Sequence, residues 1–310
     1  MEKLLFKHIP VMLNECIDGL DIKSNGTYVD GTLGGAGHSS VILSRGVKRL
    51  IGIDKDDDAL EVAKERLSGY DNVTFVKSDF KDFGKVLDSL GIDKVDGVLL
   101  DLGISSWQVD CSERGFSYRA DAPLDMRMDR TKSFSAYDVV NGYSEEDLKR
   151  ILFTYGEESW APKIAQNIVK ERAIRPIGTT LELRDLVERS IPRKFWGNGS
   201  VAKKTFQAIR IEVNGELDGL DKVLKTMAER LNKGGRLCVI TFHSLEDRIV
   251  KNVFKELSTG CICDKRVPIC TCGHVALGHL VNRKPIEPSA SECEANKRST
   301  SAKLRIWERD

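Results

Sequence analysis

The stretch Thr27-Tyr28-Val29-Asp30-Gly31-Thr32-Leu33-Gly34-Gly35-Ala36-Gly37-His38 decides how this chain folds. Thr27, Tyr28 and Val29 favour a buried strand and Asp30 closes it. The glycines that follow let the backbone turn sharply towards a helix. Working outward, the same pattern returns. Leu50-Ile51-Gly52-Ile53-Asp54, Val73-Thr74-Phe75-Val76 and Asp96-Gly97-Val98-Leu99-Leu100-Asp101 are three further β-rich runs. Between the second and third strands, residues 58–67 have helical spacing, with Leu60, Ala63 and Leu67 on one face. Apolar strands alternating with amphipathic helices predict a parallel, doubly wound α/β sheet.

The next strand of this kind spans 235–242, introduced by the turn Lys233-Gly234-Gly235 and a helix over 217–231. More than a hundred residues separate it from Asp101, far more than a single crossover needs. The sheet domain is therefore expected to be interrupted: 1–110 as its first part, 111–214 as a helical insert, 215–310 as its second part. Helical signals inside the insert cover 144–153, 161–172, 180–189 and 202–213. After it come a helix over 245–257, a strand near 279–286 and a last strand over 303–308.

Composition narrows the class. The 310 residues are 41% hydrophobic and 31% charged, the mix of a globular domain long enough to bury a core without disulfides. With 48 basic and 47 acidic residues the net charge is +1, so bulk charge calls for neither a nucleic acid nor a membrane. No apolar run approaches the ~18 residues of a membrane helix. Secreted, fibrous, disordered and transmembrane readings are set aside. The opening residues 1–16 lack an export signal's apolar stretch, so a cytoplasmic location with reduced thiols is expected. Charge is uneven, however. Residues 149–211 hold 13 Lys/Arg against 6 Asp/Glu, and 283–309 hold 7 against 4. Basic residues thus concentrate where a polyanion would touch the protein; the plain alternative is solvated helix faces.

The strand ends read as a ligand site. The glycine turn is neither the dinucleotide G-x-G-x-x-G nor a phosphate loop. Gly34, Gly35, Ala36, Gly37 and His38 bring backbone close to a ligand, and Asp54 ends the second strand, where a carboxylate can accept from both hydroxyls of a ribose. Ser78-Asp79-Phe80 after the third strand can meet an adenine edge and cover its face. Asp30, just before the turn, suits an ammonium group and would repel a pyrophosphate. Together these favour S-adenosylmethionine over a nicotinamide dinucleotide.

At these residues the sequence resembles the ribosomal RNA small subunit methyltransferase H family. The resemblance runs from His8-Ile9-Pro10-Val11-Met12-Leu13-Asn14-Glu15 through 28–38 and Asp101-Leu102-Gly103-Ile104-Ser105-Ser106. It continues with Arg114-Gly115-Phe116-Ser117, Pro123-Leu124-Asp125-Met126-Arg127-Met128-Asp129 and Thr205-Phe206-Gln207-Ala208-Ile209-Arg210-Ile211. Phe242-His243-Ser244-Leu245-Glu246-Asp247-Arg248-Ile249-Val250-Lys251 and Leu304-Arg305-Ile306-Trp307-Glu308-Arg309 complete it. It implies a class I S-adenosylmethionine-dependent methyltransferase, with a Rossmann-like sheet and an inserted helical domain for RNA recognition. The implied reaction is methyl transfer to N4 of a cytidine (1402 in rRNA numbering) in the decoding region of 16S rRNA. It also implies cofactor contacts at Ala36, Gly37 and His38, Asp54 on the ribose, Phe80 beside the adenine, and Asp101 and Gln108 towards the reacting end. This chain has Trp107 where the family commonly has proline.

The exocyclic amine of cytosine is a poor nucleophile, because its lone pair is conjugated with the ring. It needs an acceptor that favours rehybridisation and receives the released proton. Asp101, at the tip of the fourth strand, is the first candidate catalytic residue; its plain alternative is a turn cap. His243, after the strand over 235–242, can orient the base or relay a proton, although a lone histidine at a strand end is more often structural. The expected partner is 16S rRNA in the small subunit, with a monomer or homodimer and no membrane. Two other readings stand beside this one: a non-catalytic assembly factor that senses S-adenosylmethionine, and a DNA amino methyltransferase. Cys261-x-Cys263 and Cys270-x-Cys272 can be read as loop thiols, as a thiolate metal site or as disulfides. They lack the usual C-x2-C spacing, and no metal is assigned.

Overall fold

The computed structural model describes residues 10–197, 199–261, 263 and 271–310. In chain order the elements are α1 (Leu13–Leu20), β1 (Thr27–Asp30), α2 (Gly37–Ser44), β2 (Arg49–Asp54), α3 (Asp57–Arg66), β3 (Val73–Lys77), α4 (Phe83–Ser89) and β4 (Val95–Asp101). The helices α5 (Ser106–Asp110), α6 (Ala136–Gly142), α7 (Glu145–Gly156), α8 (Ala161–Arg172), α9 (Thr180–Ser190) and α10 (Lys203–Asn214) follow. The chain closes with α11 (Leu220–Glu229), β5 (Leu231–Thr241), α12 (Ser244–Leu257), β6 (Gly278–Leu280), α13 (Ala290–Ala295) and β7 (Lys303–Arg309). Two compact units result, one formed by 1–103 with 219–310 and the other by 104–218.

The first unit is a seven-stranded sheet in the order β3-β2-β1-β4-β5-β7-β6. β1 to β5 pair in parallel, and β7 lies antiparallel to both β5 and β6. This is the doubly wound, mostly parallel α/β sheet that the sequence predicts. Side chains alternate along each strand, so both faces must be apolar and covered. Tyr28, Leu50, Leu99 and Ile306 pack on one face with Leu20 of α1, Ile42 of α2 and Leu60 of α3. Val29, Ile51, Val98 and Trp307 pack on the other with Phe83 of α4, Leu224 of α11 and Phe254 of α12. At the amino end of the sheet, Asp96 accepts from the Thr27 amide (2.8 Å) and from Asn232 Nδ2 (2.8 Å), tying β4 to β1 and β5.

Two expected boundaries move. The turn expected at 233–235 is a bulge within β5, which pairs with β4 first at Leu231 and again from Arg236. Gly234 absorbs it with φ 71°, a conformation that suits glycine. The strand expected near 279–286 is only three residues long. Pro285 cannot donate to a ladder, and Asn282 takes over the edge with its side chain. Its Oδ1 accepts from the Ile306 amide (2.7 Å) and its Nδ2 donates to Leu304 O (3.2 Å).

The second unit is helical. Val139 of α6, Ile151 of α7, Ile164 of α8, Leu186 of α9 and Ile209 of α10 share one core. Caps fix its helix starts: Ser144 Oγ accepts from the Asp147 amide, and Thr179 forms a capping box with Glu182. Ile209 is fully buried. Ile209→Ala should therefore destabilise this unit by about 2–5 kcal/mol, read as an earlier transition in urea. A loss under 1 kcal/mol would contradict the packing (~1 kcal/mol being typical of conservative swaps). Among the described residues, no helix is long and apolar enough to cross a membrane.

Candidate active site at the carboxyl edge of the sheet

Strand order reverses between β1 and β4, and open α/β sheets bind ligands at the carboxyl ends beside such a switch point. Here β1, β2 and β4 end in Asp30, Asp54 and Asp101. The turn after β1 holds these ends together. Gly31 donates from its amide to Leu99 O (2.9 Å), and Leu33 to Ile53 O (3.0 Å), so one loop spans all three strands. A Cβ on Gly31 would stand 2.5 Å from Leu100 Cδ2 and 3.3 Å from Phe80 Cβ, which fixes glycine there. Gly34 and Ala36 are left-handed, at φ 47° and 58°. For alanine this is a strained conformation, held by its complete burial.

The carboxylates of Asp30 and Asp54 are bound to the turn. Asp30 Oδ1 accepts from the Thr32 amide (3.2 Å) and Oδ2 from Ser39 Oγ (2.7 Å). Asp54 Oδ2 accepts from the Gly34 amide (2.8 Å) and Oδ1 from the Asp56 amide (2.9 Å). Burial pushes both carboxyls up to about 6, against the pull of those hydrogen bonds. Asp101 differs. Its amide donates to Thr32 Oγ1 (2.6 Å), but its Oδ1 is buried without a hydrogen-bond partner among the described residues. Burial raises its carboxyl to about 8, with the charges of Asp30 and Glu246 adding to the rise.

His38, in the first turn of α2, faces Asp101 at 4.0 Å through Nδ1. Its Nε2 lies 3.0 Å from Val11 O. A carbonyl only accepts, so Nε2 carries the proton. Gly35 O accepts from the Arg66 guanidinium. A Cβ on Gly37 would meet the Pro10 ring at 2.4 Å. Phe80 opens the short turn after β3 and packs at the margin of the core. His243 sits just before α12, its Nε2 3.2 Å from Glu246 Oε1. The geometry is off-line, and neither ring nitrogen has a hydrogen-bond partner among the described residues.

One rim thus gathers Asp30, Gly34 to His38, Asp54, Phe80 and Asp101. Gln108 belongs to the other unit. There it closes the capping box of α5, its Oε1 accepting from the Ser105 amide (3.0 Å) and its own amide donating to Ser105 Oγ (3.2 Å). Three residues at the sheet edge escaped the sequence reading: Thr32, Ser39 and Glu246. Glu246 is 2% exposed and reaches back to accept from the Phe242 amide (2.9 Å). Its signal was its place three residues after His243, the reach-back position at a helix start.

Residues 5–310 match the MraW methylase family. The chain belongs to that family. A relative from Clostridium botulinum (strain Loch Maree / Type A3), named ribosomal RNA small subunit methyltransferase H, is 55% identical over 303 residues, covering 97% of this chain and 98% of its own. Proteins of the same name from Finegoldia magna and Clostridioides difficile are 51% and 53% identical, each over 308 residues and covering 98% of this chain and 99% of their own. The methylase thus shares more than half its residues with these relatives along nearly its whole length.

An adenosine-bearing methyl donor suits the sheet edge. The glycine turn leaves backbone where a Cβ would crowd, and the three carboxylates are short of counter-charge. Asp101 Oδ1 is buried and has no hydrogen-bond partner among the described residues.

Proposed function

We propose that this methylase transfers the methyl group of S-adenosylmethionine to N4 of a cytidine in 16S rRNA, at the position numbered 1402 in that RNA. Relatives at 51–55% identity, named for methylation of the small-subunit RNA, carry this reading. The acidic sheet rim supports it. When bound, the cofactor supplies an electrophilic methyl on a sulfonium.

The protein's own groups do the rest. Asp54 and the Gly34 turn fix the ribose end, and Asp30 faces the amino-acid end. Phe80 covers the base. Asp101 has an unpartnered oxygen at the strand tip and receives the proton that the target amine releases. As an acceptor it must be ionised, so the free enzyme's rate should rise with pH towards about 8. His243 orients the target base. A cytosine in folded RNA must be unstacked before its amine can reach the methyl. The basic stretch 149–211 of the helical unit clamps the phosphates around it. Acting on ribosomal RNA fits a cytoplasmic protein, which we propose works as a monomer or homodimer.

The test incubates purified protein with labelled S-adenosylmethionine and small subunits from cells lacking the modification, then identifies nucleosides by mass spectrometry. N4-methylcytidine is the expected product. Bound S-adenosylmethionine with no transfer to RNA would overturn the catalytic reading in favour of a sensor. Transfer to duplex DNA would overturn the substrate.

A further inference from the structure

Away from the carboxyl rim, α12 ends at Leu257 and β6 begins at Gly278. The base of the connection is closed by the Leu277 amide donating to Leu257 O (2.9 Å). Its described residues bury little: Cys261, Thr271 and Gly273 are exposed and Val275 is 81% exposed. Among the described residues, apolar packing does not hold this segment, and a small excursion with little core generally needs a covalent or metal staple.

Three cysteines converge there. The Sγ atoms of Cys261, Cys263 and Cys272 all lie within 4.8 Å of one another, and those of Cys261 and Cys272 are 3.8 Å apart. A disulfide needs about 2.05 Å, so this is not a bonded pair. Four sulfurs around an ion at ~2.3 Å stand about 3.8 Å apart along each tetrahedral edge. The Cys261–Cys272 separation is that edge. Cys270 lies outside the described residues, and the site stands on the other three.

We propose that Cys261, Cys263 and Cys272 are thiolate ligands of a structural zinc ion that pins the connection between α12 and β6. Soft thiolates select zinc, copper(I) or iron–sulfur centres, and zinc takes tetrahedral sulfur sites with no redox demand. Binding displaces the thiol protons to solvent. The absence of C-x2-C spacing does not exclude the site, because Cys272 reaches the Cys261–Cys263 pair from eleven residues away. The ion sits on the β6 side of the sheet and takes no part in methyl transfer.

The experiment uses full-length protein purified under reducing conditions without chelator, loaded with zinc chloride and dialysed. Metal is measured by inductively coupled plasma mass spectrometry, and cobalt(II) titration is followed by thiolate charge-transfer absorption. Roughly one equivalent of zinc per chain is expected, with a charge-transfer band on adding cobalt. Cys261→Ser combined with Cys272→Ser should cut bound zinc by about tenfold or more and remove the band. S-adenosylhomocysteine affinity should stay within about twofold, which shows that the variant is folded. Wild-type protein with under about a tenth of an equivalent, or equal zinc in both proteins, overturns the site. So does copper or iron in place of zinc, or a disulfide linking these cysteines in the non-reduced protein.

Discussion

Asp101→Asn is expected to slow methyl transfer by about 10²–10⁴-fold and to make the ligand-free protein more stable above pH 7. Both effects have one origin. Asp101 is held at the tip of β4 with one oxygen unpartnered among the described residues and a side chain only 19% exposed. The folded protein keeps its proton up to about pH 8, whereas the unfolded chain releases it near the ordinary 3.8. Stability from this proton is fully present below about pH 4 and is lost as pH rises through about 8. At about 1.4 kcal/mol for each tenfold difference in proton affinity between the folded and unfolded chain, the loss amounts to a few kcal/mol, moderated by the remaining exposure. Asparagine has the same shape and no proton to lose. The variant's stability should fall with pH only while Asp30 and Asp54 titrate, to about pH 6. Urea unfolding from pH 5 to 9 reads the stability, and single-turnover transfer reads the chemistry. Parallel stability curves, or near-native turnover by the variant, would refute the assignment.

Asp54→Ala should weaken cofactor binding by about 10–150-fold, the worth of one charge-assisted hydrogen bond at 1.5–3 kcal/mol. The same carboxylate accepts from the Gly34 amide, so its removal also loosens the turn that shapes the pocket. Turnover at saturating cofactor should fall much less, since Asp54 is far from the transferred methyl in the proposed arrangement. In the native protein, affinity should be flat above pH 7 and weaken as pH falls through about 6, where Asp54 takes up a proton. Calorimetric titration with S-adenosylhomocysteine measures both. An unchanged dissociation constant in the alanine variant would remove Asp54 from the site.

Much of this architecture was legible because burial on both sheet faces forces strands such as Leu50-Ile51-Gly52-Ile53-Asp54 to be apolar throughout. The expected and observed limits of β1 coincide, and those of β2, β3, β4 and β7 differ by one residue at an end. Helices with one apolar stripe, α8 among them, were equally plain. The short helices α1, α4 and α6 were not anticipated, at 8, 7 and 7 residues. Two turns give a periodic signal little room to rise above chance. At the candidate site, acidic strand ends and glycines could be read one by one. What could not be read was their coupling: Thr32 reaching the Asp101 amide, Ser39 reaching Asp30, and Glu246 raising Asp101 from another strand's end. Such pairings depend on three-dimensional register, and no local spacing announces them.

The place of the helical unit between β4 and β5 shapes how the chain is made. β4 leaves synthesis paired with β1 on one side only, and its other neighbour follows more than a hundred residues later. At about 5–20 residues per second, the free edge of Val98-Leu99-Leu100 is open for roughly ten seconds. An open apolar edge is a template for association with other chains. Asp96 and Asp101 flank that stretch, placing negative charge at each side of it. By that reasoning the carboxylates of Asp96 and Asp101 would discourage such association before β5 arrives.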